Sequence, residues 1–215
     1  MQYIEHHEGV RYISGGTLSG YLTSQDTNVS KSFAIAETTI LDQDIVHILP
    51  NLPHPTGTSN DYVWFYRKNA TQWTWATGSM PFIYGITGGT GYIEWDNGGT
   101  MTAGTGGAGG SQRWYNSYLL FTNISGSARF AVIPGRGSYT SLASATAETA
   151  NTFDFTGFEI DEAVIAYQLT WATNAYASSG HCVLAATPKL INISVVSSDS
   201  YIFTVKFDDN CEIEL

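Results

Sequence analysis

The sequence predicts an all-β protein, a β-sandwich of which a jelly roll is one form, with one short helix and an extended N-terminal arm. Short segments rich in β-branched and aromatic residues alternate with clusters of Gly, Pro, Ser and Asp, which is the pattern of strands and tight turns. About ten such segments follow one another, as in sandwich and jelly-roll folds. The 215 residues fit one domain, because all-β domains commonly run to about 200–250 residues.

Residues 1–30 are predicted to be an arm that serves assembly or attachment. The first part of this segment is polar and interrupted by glycines, which favours an extended conformation over a packed element. The side chains expected to contact other subunits or a particle are Tyr3, Ile4, His6, His7 and Tyr12.

The remaining residues, 31–215, are predicted to form the sandwich domain. Ser32–Leu49 indicates two strands that end at a group of prolines. Tyr62–Ala76 indicates a hairpin of large aromatic residues around an Arg-Lys-Asn-Ala turn. Short strands bounded by glycine pairs are expected at 82–84 and 92–95.

The second half begins after residues 100–110, a low-complexity segment that is predicted to be an exposed loop and a candidate internal break of the domain. The alanine-rich segment Ser141–Thr149 predicts the single helix, with Ser141 able to cap its first turn. The other segments expected to form strands are 113–123, 128–133, 162–173, 181–185, 190–196 and 201–207.

The charge balance limits the partners of the chain. Acidic residues outnumber basic residues 19 to 9 and give a net charge of −10, so the phosphate backbone of nucleic acid would be repelled. No stretch approaches the ~18 apolar residues of a membrane span, and the N-terminus lacks the basic and apolar segments of a signal peptide. We therefore expect no nucleic acid partner, no membrane insertion and synthesis in the cytoplasm.

Part of the surface is expected to be covered by neighbouring subunits. Charged residues make up 13% of the chain, about half of the typical share of roughly 25%. Aromatic residues are as frequent as charged ones, and aromatic anchors contribute most of the binding free energy at protein interfaces. A free monomer would leave much of this uncharged surface in water.

Four aromatic residues are candidates for a sugar-binding surface, namely Trp73, Trp75, Tyr92 and Trp95. If their amphipathic rings are exposed, they could stack on sugar rings. The alternative is that they fill the core, as strand aromatics usually do, and at least half of the six tryptophans are expected to be interior.

The chain is not expected to be an enzyme or to bind a cofactor. It contains no Gly-x-Ser-x-Gly elbow, no phosphate-binding loop and no His-Glu-x-x-His zinc motif. Glu94 and Asp96 are the pair best suited to glycoside hydrolysis, which needs two carboxylates about 5–10 Å apart. The Asp-Asn-Gly-Gly sequence at 96–99 favours instead a turn that stabilises a hairpin.

No metal site is predicted. His6 and His7 lie between two glutamates, but adjacent residues of an extended segment point to opposite sides and cannot easily share an ion within one chain. One histidine per subunit around a three-fold axis is the alternative, and the acidic C-terminal residues could bind calcium. Cys182 and Cys211 have neither metal-ligand nor disulfide-framework spacing and are expected to be free thiols, with a bridge between them as the alternative.

A series of segments follows between Trp114 and Leu190. The aromatic strand at 114–121 comes first, then a strand that ends in Pro134-Gly135-Arg136, and then the segment YTSLASA at 139–145. A strand with AYQLTW at 166–171 comes next and is followed by NAY at 174–176 and SGHC at 179–182. This order resembles bacteriophage virion appendage proteins of the tail-fibre, head-fibre and adaptor type, and the resemblance covers residues 114–190 of the 215.

The resemblance implies a β-sandwich head on a homotrimer, a place in the virion and no catalytic residues. The expected function is that of a structural subunit of a head or tail fibre that mediates particle assembly and host attachment. Its partners would be further copies of itself, other virion proteins and a host surface glycan. A carbohydrate-binding, receptor-binding module is the first alternative, and a polysaccharide depolymerase is the second.

Overall fold

The computed structural model describes residues 10–25, 31–42, 45–53, 61–88, 92–106, 112–122, 130–150, 153, 155, 158, 162–173 and 182–196. Within these residues the chain is all-β with one short helix, as the sequence predicts. The strands are β1 (Arg11–Gly15), β2 (Leu18–Ser19), β3 (Ala34–Ile35), β4 (Thr38–Asp42), β5 (Ile45–Leu49), β6 (Tyr62–Asn69), β7 (Gln72–Gly78), β8 (Glu94–Asp96), β9 (Met101–Ala103), β10 (Trp114–Phe121), β11 (Phe130–Pro134), β12 (Glu162–Ala172), β13 (Val183–Leu184) and β14 (Lys189–Val196), and the helix α1 is Leu142–Thr146. The strand expected at 201–207 lies outside the described residues.

A mixed sheet lies at the centre of the described part of the chain. Among the described residues, seven strands form it in the order β13-β12-β10-β11-β6-β7, with β14 also paired to β12. Its strand pairs are antiparallel except β11 and β6, which run parallel. Because double-sheet jelly rolls are built from antiparallel Greek keys, the jelly-roll prediction is not confirmed.

Both faces of this central sheet are buried, which explains the long apolar runs in its strands. All five residues of β11 and the last seven of β10 are buried. Alternate residues of β10 enter two separate hydrophobic clusters, because successive strand side chains point to opposite faces. Leu119 and Phe121 lie in the cluster on the first face, whereas Tyr118 and Leu120 lie in the cluster on the second face.

Small sheets cover the first face and make the arrangement sandwich-like. Among the described residues these sheets are β1-β4-β5, β2-β3 and β8-β9. Phe33, Ile40 and Phe82 are fully buried, and they belong to the same cluster as Phe121 and Trp171 of the central sheet. The predicted class, an all-β protein of packed layers, is therefore confirmed.

The helix α1 and three phenylalanines beyond it cover the second face. Ser141 caps α1, because its hydroxyl accepts a hydrogen bond from the Ser144 amide at 3.1 Å. Phe153, Phe155 and Phe158 then pack on the aromatic residues of the sheet. The predicted helix and its serine cap are both confirmed. No helix in the described ranges is long and apolar enough to span a membrane.

Residues 10–25 pack on the rest of the domain, whereas the sequence predicts an extended arm, and not a packed element, over residues 1–30. β1 pairs with β4, and Val10 is fully buried. The chain can turn back after β1 because Gly15 and Gly16 have φ values of +86° and +65°, a region that glycine adopts without strain. Two of the glycines that favoured an extended arm therefore build a turn. Residues 1–9 and 26–30 lie outside the described residues.

The low-complexity segment does not divide the domain where the structure describes it. Met101–Ala103 form β9 and pair with β8. The Thr105 amide donates a hydrogen bond to the Tyr115 hydroxyl at 2.7 Å, and the Thr173 hydroxyl donates to the Thr105 carbonyl at 2.8 Å. Residues 100–106 are thus tied to the central sheet, while 107–110 lie outside the described residues. The strand expected at 82–84 is only a single bridge, at Tyr84.

Candidate functional site

Two of the four predicted sugar-binding residues lie on β7. Trp73 and Trp75 are two positions apart and share one side of the strand. Trp73 is buried, with the Arg67 guanidinium carbon 4.4 Å from its ring centroid and the Phe155 ring stacked at 6.3 Å. Trp75 is 57% exposed. Of this pair, Trp75 alone presents most of its ring to solvent.

The other two predicted sugar-binding residues lie near the β8-β9 hairpin. Tyr92 and Trp95 are both half-buried. Trp95 packs against Tyr115, with ring centroids 6.3 Å apart, at the cluster on the first face. Trp73 belongs to the second face, so the four residues do not form one platform. Half of the six tryptophans are buried, as expected, and these are Trp64, Trp73 and Trp171.

Of the residues predicted to act in an assembly arm, the structure describes Tyr12. Its hydroxyl donates a hydrogen bond to the Gly15 carbonyl at 2.8 Å, and its ring centroid is 6.4 Å from that of Phe121. Burial, and next the nearby hydroxyls of Tyr12 and Tyr21, raise the pKa of Tyr167. Tyr12 therefore contributes to the packing of its own domain. The other predicted arm residues, Tyr3, Ile4, His6 and His7, lie outside the described residues.

The two carboxylates considered for glycoside hydrolysis both have local structural partners. Glu94 is buried and accepts hydrogen bonds from the amide and the hydroxyl of Thr87, each at 3.0 Å. Asp96 accepts a hydrogen bond from the Gly99 amide at 2.6 Å. The Asn97 amide donates to the Thr100 carbonyl at 2.9 Å and closes the turn between β8 and β9. The predicted hairpin is therefore confirmed.

Asp96 also forms an ion pair that the sequence does not reveal. Its second carboxylate oxygen is 3.7 Å from Nε of Arg67, and both side chains are 3% exposed. Arg67 comes from the far end of β6, so the pair joins the central sheet to the β8-β9 hairpin. The Arg67 guanidinium also lies over the Trp73 ring. The two residues are remote in sequence, and no local pattern relates them.

A second polar network fastens the turn and helix that follow β11. Glu148 accepts hydrogen bonds from the Arg136 amide at 2.7 Å and from the Asn116 side-chain amide. Burial, followed by the charge of Glu148, raises the pKa of Tyr118 above its usual range and that of Tyr139 to about 12. These partners close the Pro-Gly-Arg-Gly turn onto β10 and hold both tyrosines in their neutral form.

The sheet β1-β4-β5 presents an apolar surface to solvent. Thr38, Ile40 and Leu49 of β4 and β5 point inward and are buried. The alternate residues Leu41, Val46 and Ile48 point outward, and Val46 and Ile48 are 59% and 61% exposed.

Ile13, in the bulge of β1, is 52% exposed. We call Ile13, Leu41, Val46 and Ile48 the outer apolar surface. The apolar run IVHIL of β5 indicates a buried strand. The exposure of its outward side could not be predicted, because the sequence does not show which residues cover that side.

The described residues contain no group of three or more His, Cys, Asp or Glu side chains placed to hold a metal ion. The His6/His7 pair and the acidic C-terminal residues lie outside them. Cys182 is buried, and Cys211 also lies outside the described residues, so the state of the two thiols stays a prediction.

Comparison with known proteins finds no family model, no curated protein and no solved structure that matches this chain.

Proposed function

We propose that this chain is a structural subunit of a bacteriophage virion appendage, of the fibre or adaptor type, which works as a homotrimer in particle assembly and host attachment. The observation that carries the proposal is the outer apolar surface. Burying a whole Val or Ile side chain contributes about 1.5–3 kcal/mol. By that measure, covering Ile13, Val46 and Ile48, which are 52%, 59% and 61% exposed, would contribute roughly 3–5 kcal/mol per subunit.

The second half of the chain supports the virion assignment. β10, β11, the Pro-Gly turn, α1 and β12 follow one another in the order that resembles virion appendage proteins. The polar network around Glu148 ties the turn after β11 and the end of α1 to β10. Low charge and exposed aliphatic side chains are typical of surfaces that a larger assembly covers.

The mass of the native full-length chain in solution tests the oligomeric part of the proposal. Light scattering at about 1–100 µM should give a stable trimer, or a hexamer if two trimers associate. Ile13→Lys should dissociate the trimer, because it places a charge in the buried contact. Thr17→Lys, at an exposed position outside the outer apolar surface, is the matched control. If the native chain is a monomer over the whole concentration range, the proposed homotrimer is wrong.

The place of the chain in a particle needs a separate test. Electron microscopy of virions labelled with an antibody against this chain should show the label on a head, collar or tail appendage. Particles that carry no label, while the antibody binds the free protein, would overturn the virion assignment and leave the oligomer unaffected.

A carbohydrate-binding module is the second candidate, and the exposed ring of Trp75 favours it. Stacking of a sugar on this ring would be worth about 1 kcal/mol or somewhat more. If the chain binds a glycan through β7, Trp75→Ala should therefore weaken binding about 10-fold in titration calorimetry, while Trp75→Tyr should retain most of it. Equal affinities of native protein and Trp75→Ala would exclude this ring as the contact.

A further inference from the structure

Strand β5 is an edge strand that lacks the usual protection against pairing. It lies at one end of the order β1-β4-β5, and within the described residues it pairs with β4 alone. Natural edge strands are usually blunted by lysine, proline, an inward charge or a bulge. β5 has the sequence IVHIL, without lysine or proline, and its register with β4 is continuous.

The other edges compared with β5 differ from it. β1 has a bulge between Tyr12 and Ser14 and begins at Arg11, features that hinder a further strand from adding to an edge. β7 has neither lysine nor proline, but Gln72 and Thr77, two of its exposed residues, are polar. Of these three edges, β5 is the one that has no such protection and whose exposed residues are all aliphatic.

The sequence of β5 is complementary to itself in antiparallel register. If two copies pair around His47, Val46 lies opposite Ile48 of the second copy, and Ile45 lies opposite Leu49. Each of these cross-strand pairs joins two aliphatic side chains on one face of the sheet, the kind of neighbour pair that stabilises sheets. A contact in which residue i meets j and j meets i is what a two-fold axis requires.

The lack of charged side chains on β5 also favours a second copy of this chain as its partner. A chain with a net charge of −10 repels its own copies unless they meet where charged side chains are absent. β5 has no Asp, Glu, Lys or Arg, so two such edges can approach without burying a charge.

We propose that β5 pairs edge to edge with β5 of a second copy of this chain, so that the two β1-β4-β5 sheets form one six-stranded sheet across a two-fold axis. Ile45, Val46 and Ile48 are 61%, 59% and 61% exposed. They present on the order of 100 Å² each. With the strand backbones, the pair would bury on the order of 1,000 Å² in total, the lower limit for a specific interface. A contact at this limit is expected to be weak.

This contact is made along the edge of β5, whereas the proposed homotrimer covers the outer apolar surface, and Val46 and Ile48 border both contacts. Two-fold pairing alone gives a dimer, and in a homotrimer it would link two trimers into a hexamer. Ile45 separates the two contacts experimentally, because it lies on the inward side of β5 with His47 and Leu49 and not on the outer apolar surface.

Sedimentation velocity of the full chain over about 1–100 µM tests the pairing. The native protein should form a dimer or hexamer, and Ile45→Lys should halve the mass and raise the dissociation constant at least about 100-fold, since lysine on an edge opposes strand addition. Thr77→Lys, at an exposed position on β7, is the matched control and should leave the mass unchanged. Far-ultraviolet circular dichroism of all three proteins checks that each is folded.

Cysteine crosslinking provides a second readout that does not depend on disrupting the interface. Directly opposed residues of antiparallel strands have Cα atoms about 4.5–5.5 Å apart, within the range of a disulfide. The double variant Val46→Cys, Ile48→Cys should therefore form a covalent dimer under mild oxidation, whereas Val46→Cys alone places its thiol opposite an isoleucine and should not.

The outcomes separate this inference from the proposed function. A trimer that Ile45→Lys does not alter, without the disulfide-linked dimer, would overturn the β5 pairing and leave the homotrimer standing. A dimer that Ile45→Lys converts to a monomer would support the pairing and overturn the homotrimer. A native monomer that forms no crosslink would overturn both.

Discussion

Removing the carboxylate of Asp96 should destabilise the fold strongly. Asp96→Ala leaves the Arg67 guanidinium without the carboxylate 3.7 Å away, in a place where both side chains are 3% exposed. Breaking a buried ion pair by deleting one partner costs about 3–5 kcal/mol, because the remaining charge stays buried. The Gly99 amide also loses its acceptor. We place the total near 3 kcal/mol, because the long contact and the Trp73 ring beneath the cation limit the loss.

Urea unfolding followed by tryptophan fluorescence measures this loss. In thermal unfolding, the same change of about 3 kcal/mol corresponds to a fall in Tm of roughly 6–12 °C for a chain of this size. Asp96→Asn should lose less, because its amide oxygen can still accept from Gly99. Glu37→Ala, which removes an exposed carboxylate, is the control and should stay within about 0.5 kcal/mol.

A double-mutant cycle then separates the ion pair from the turn. Arg67→Met removes the cation, so adding Asp96→Ala to it should cost only about the turn hydrogen bond, near 1 kcal/mol. If Asp96→Ala alone changes the free energy of unfolding by less than about 1 kcal/mol, the pair is not a buried charge contact and the reasoning fails.

Stability should fall as the pH rises above the ordinary tyrosine pKa of about 10, because the folded state holds Tyr118 and Tyr139 neutral, with the pKa of Tyr139 raised to about 12. The free energy of unfolding falls from the tyrosine pKa of the unfolded state up to that of the folded state. The urea midpoint should therefore be constant from pH 7 to about 9.5 and lower at about 11. A constant midpoint over the whole range would contradict this prediction. Gly78→Ala should destabilise by about 1–3 kcal/mol in the same assay, because its Cβ would overlap the Trp64 ring, and an unchanged midpoint would show that the ring can move. Neither the native protein nor Glu94→Gln should cleave glycans in a reducing-end assay, and native cleavage that Glu94→Gln abolishes would favour a depolymerase.

Local signals in the sequence predict the elements that depend on neighbouring residues. The hairpin of β6 and β7 follows from two aromatic runs around a turn, and its strands are 62–69 and 72–78. The helix follows from alanine content and the cap Ser141, although only five residues are helical. These elements owe their conformation to turn and cap chemistry within a few residues.

Elements that depend on distant partners could not be predicted in the same way. β1 is a strand because β4 lies beside it, and its own sequence contains the glycines of a loop. The parallel pairing of β6 with β11 depends on where a long connection returns, and alternation along either strand does not specify it. The network at Glu148 joins residues from three separate segments, so no spacing in the sequence marks it.

The apolar strand β5 shows why the candidate interface is the hardest part to read from sequence. Alternation requires that one side of a strand be covered, and Leu49 satisfies this within its own chain. Val46 and Ile48 are as apolar as Leu49, yet they lie on the side that the described residues leave exposed. An apolar strand buried by its own domain and one buried by a second copy have the same composition, because the hydrophobic effect depends on the area removed from water and not on which chain covers it. Only the structure shows that the described residues leave one side of β5 exposed, and the proposed self-association rests on that side.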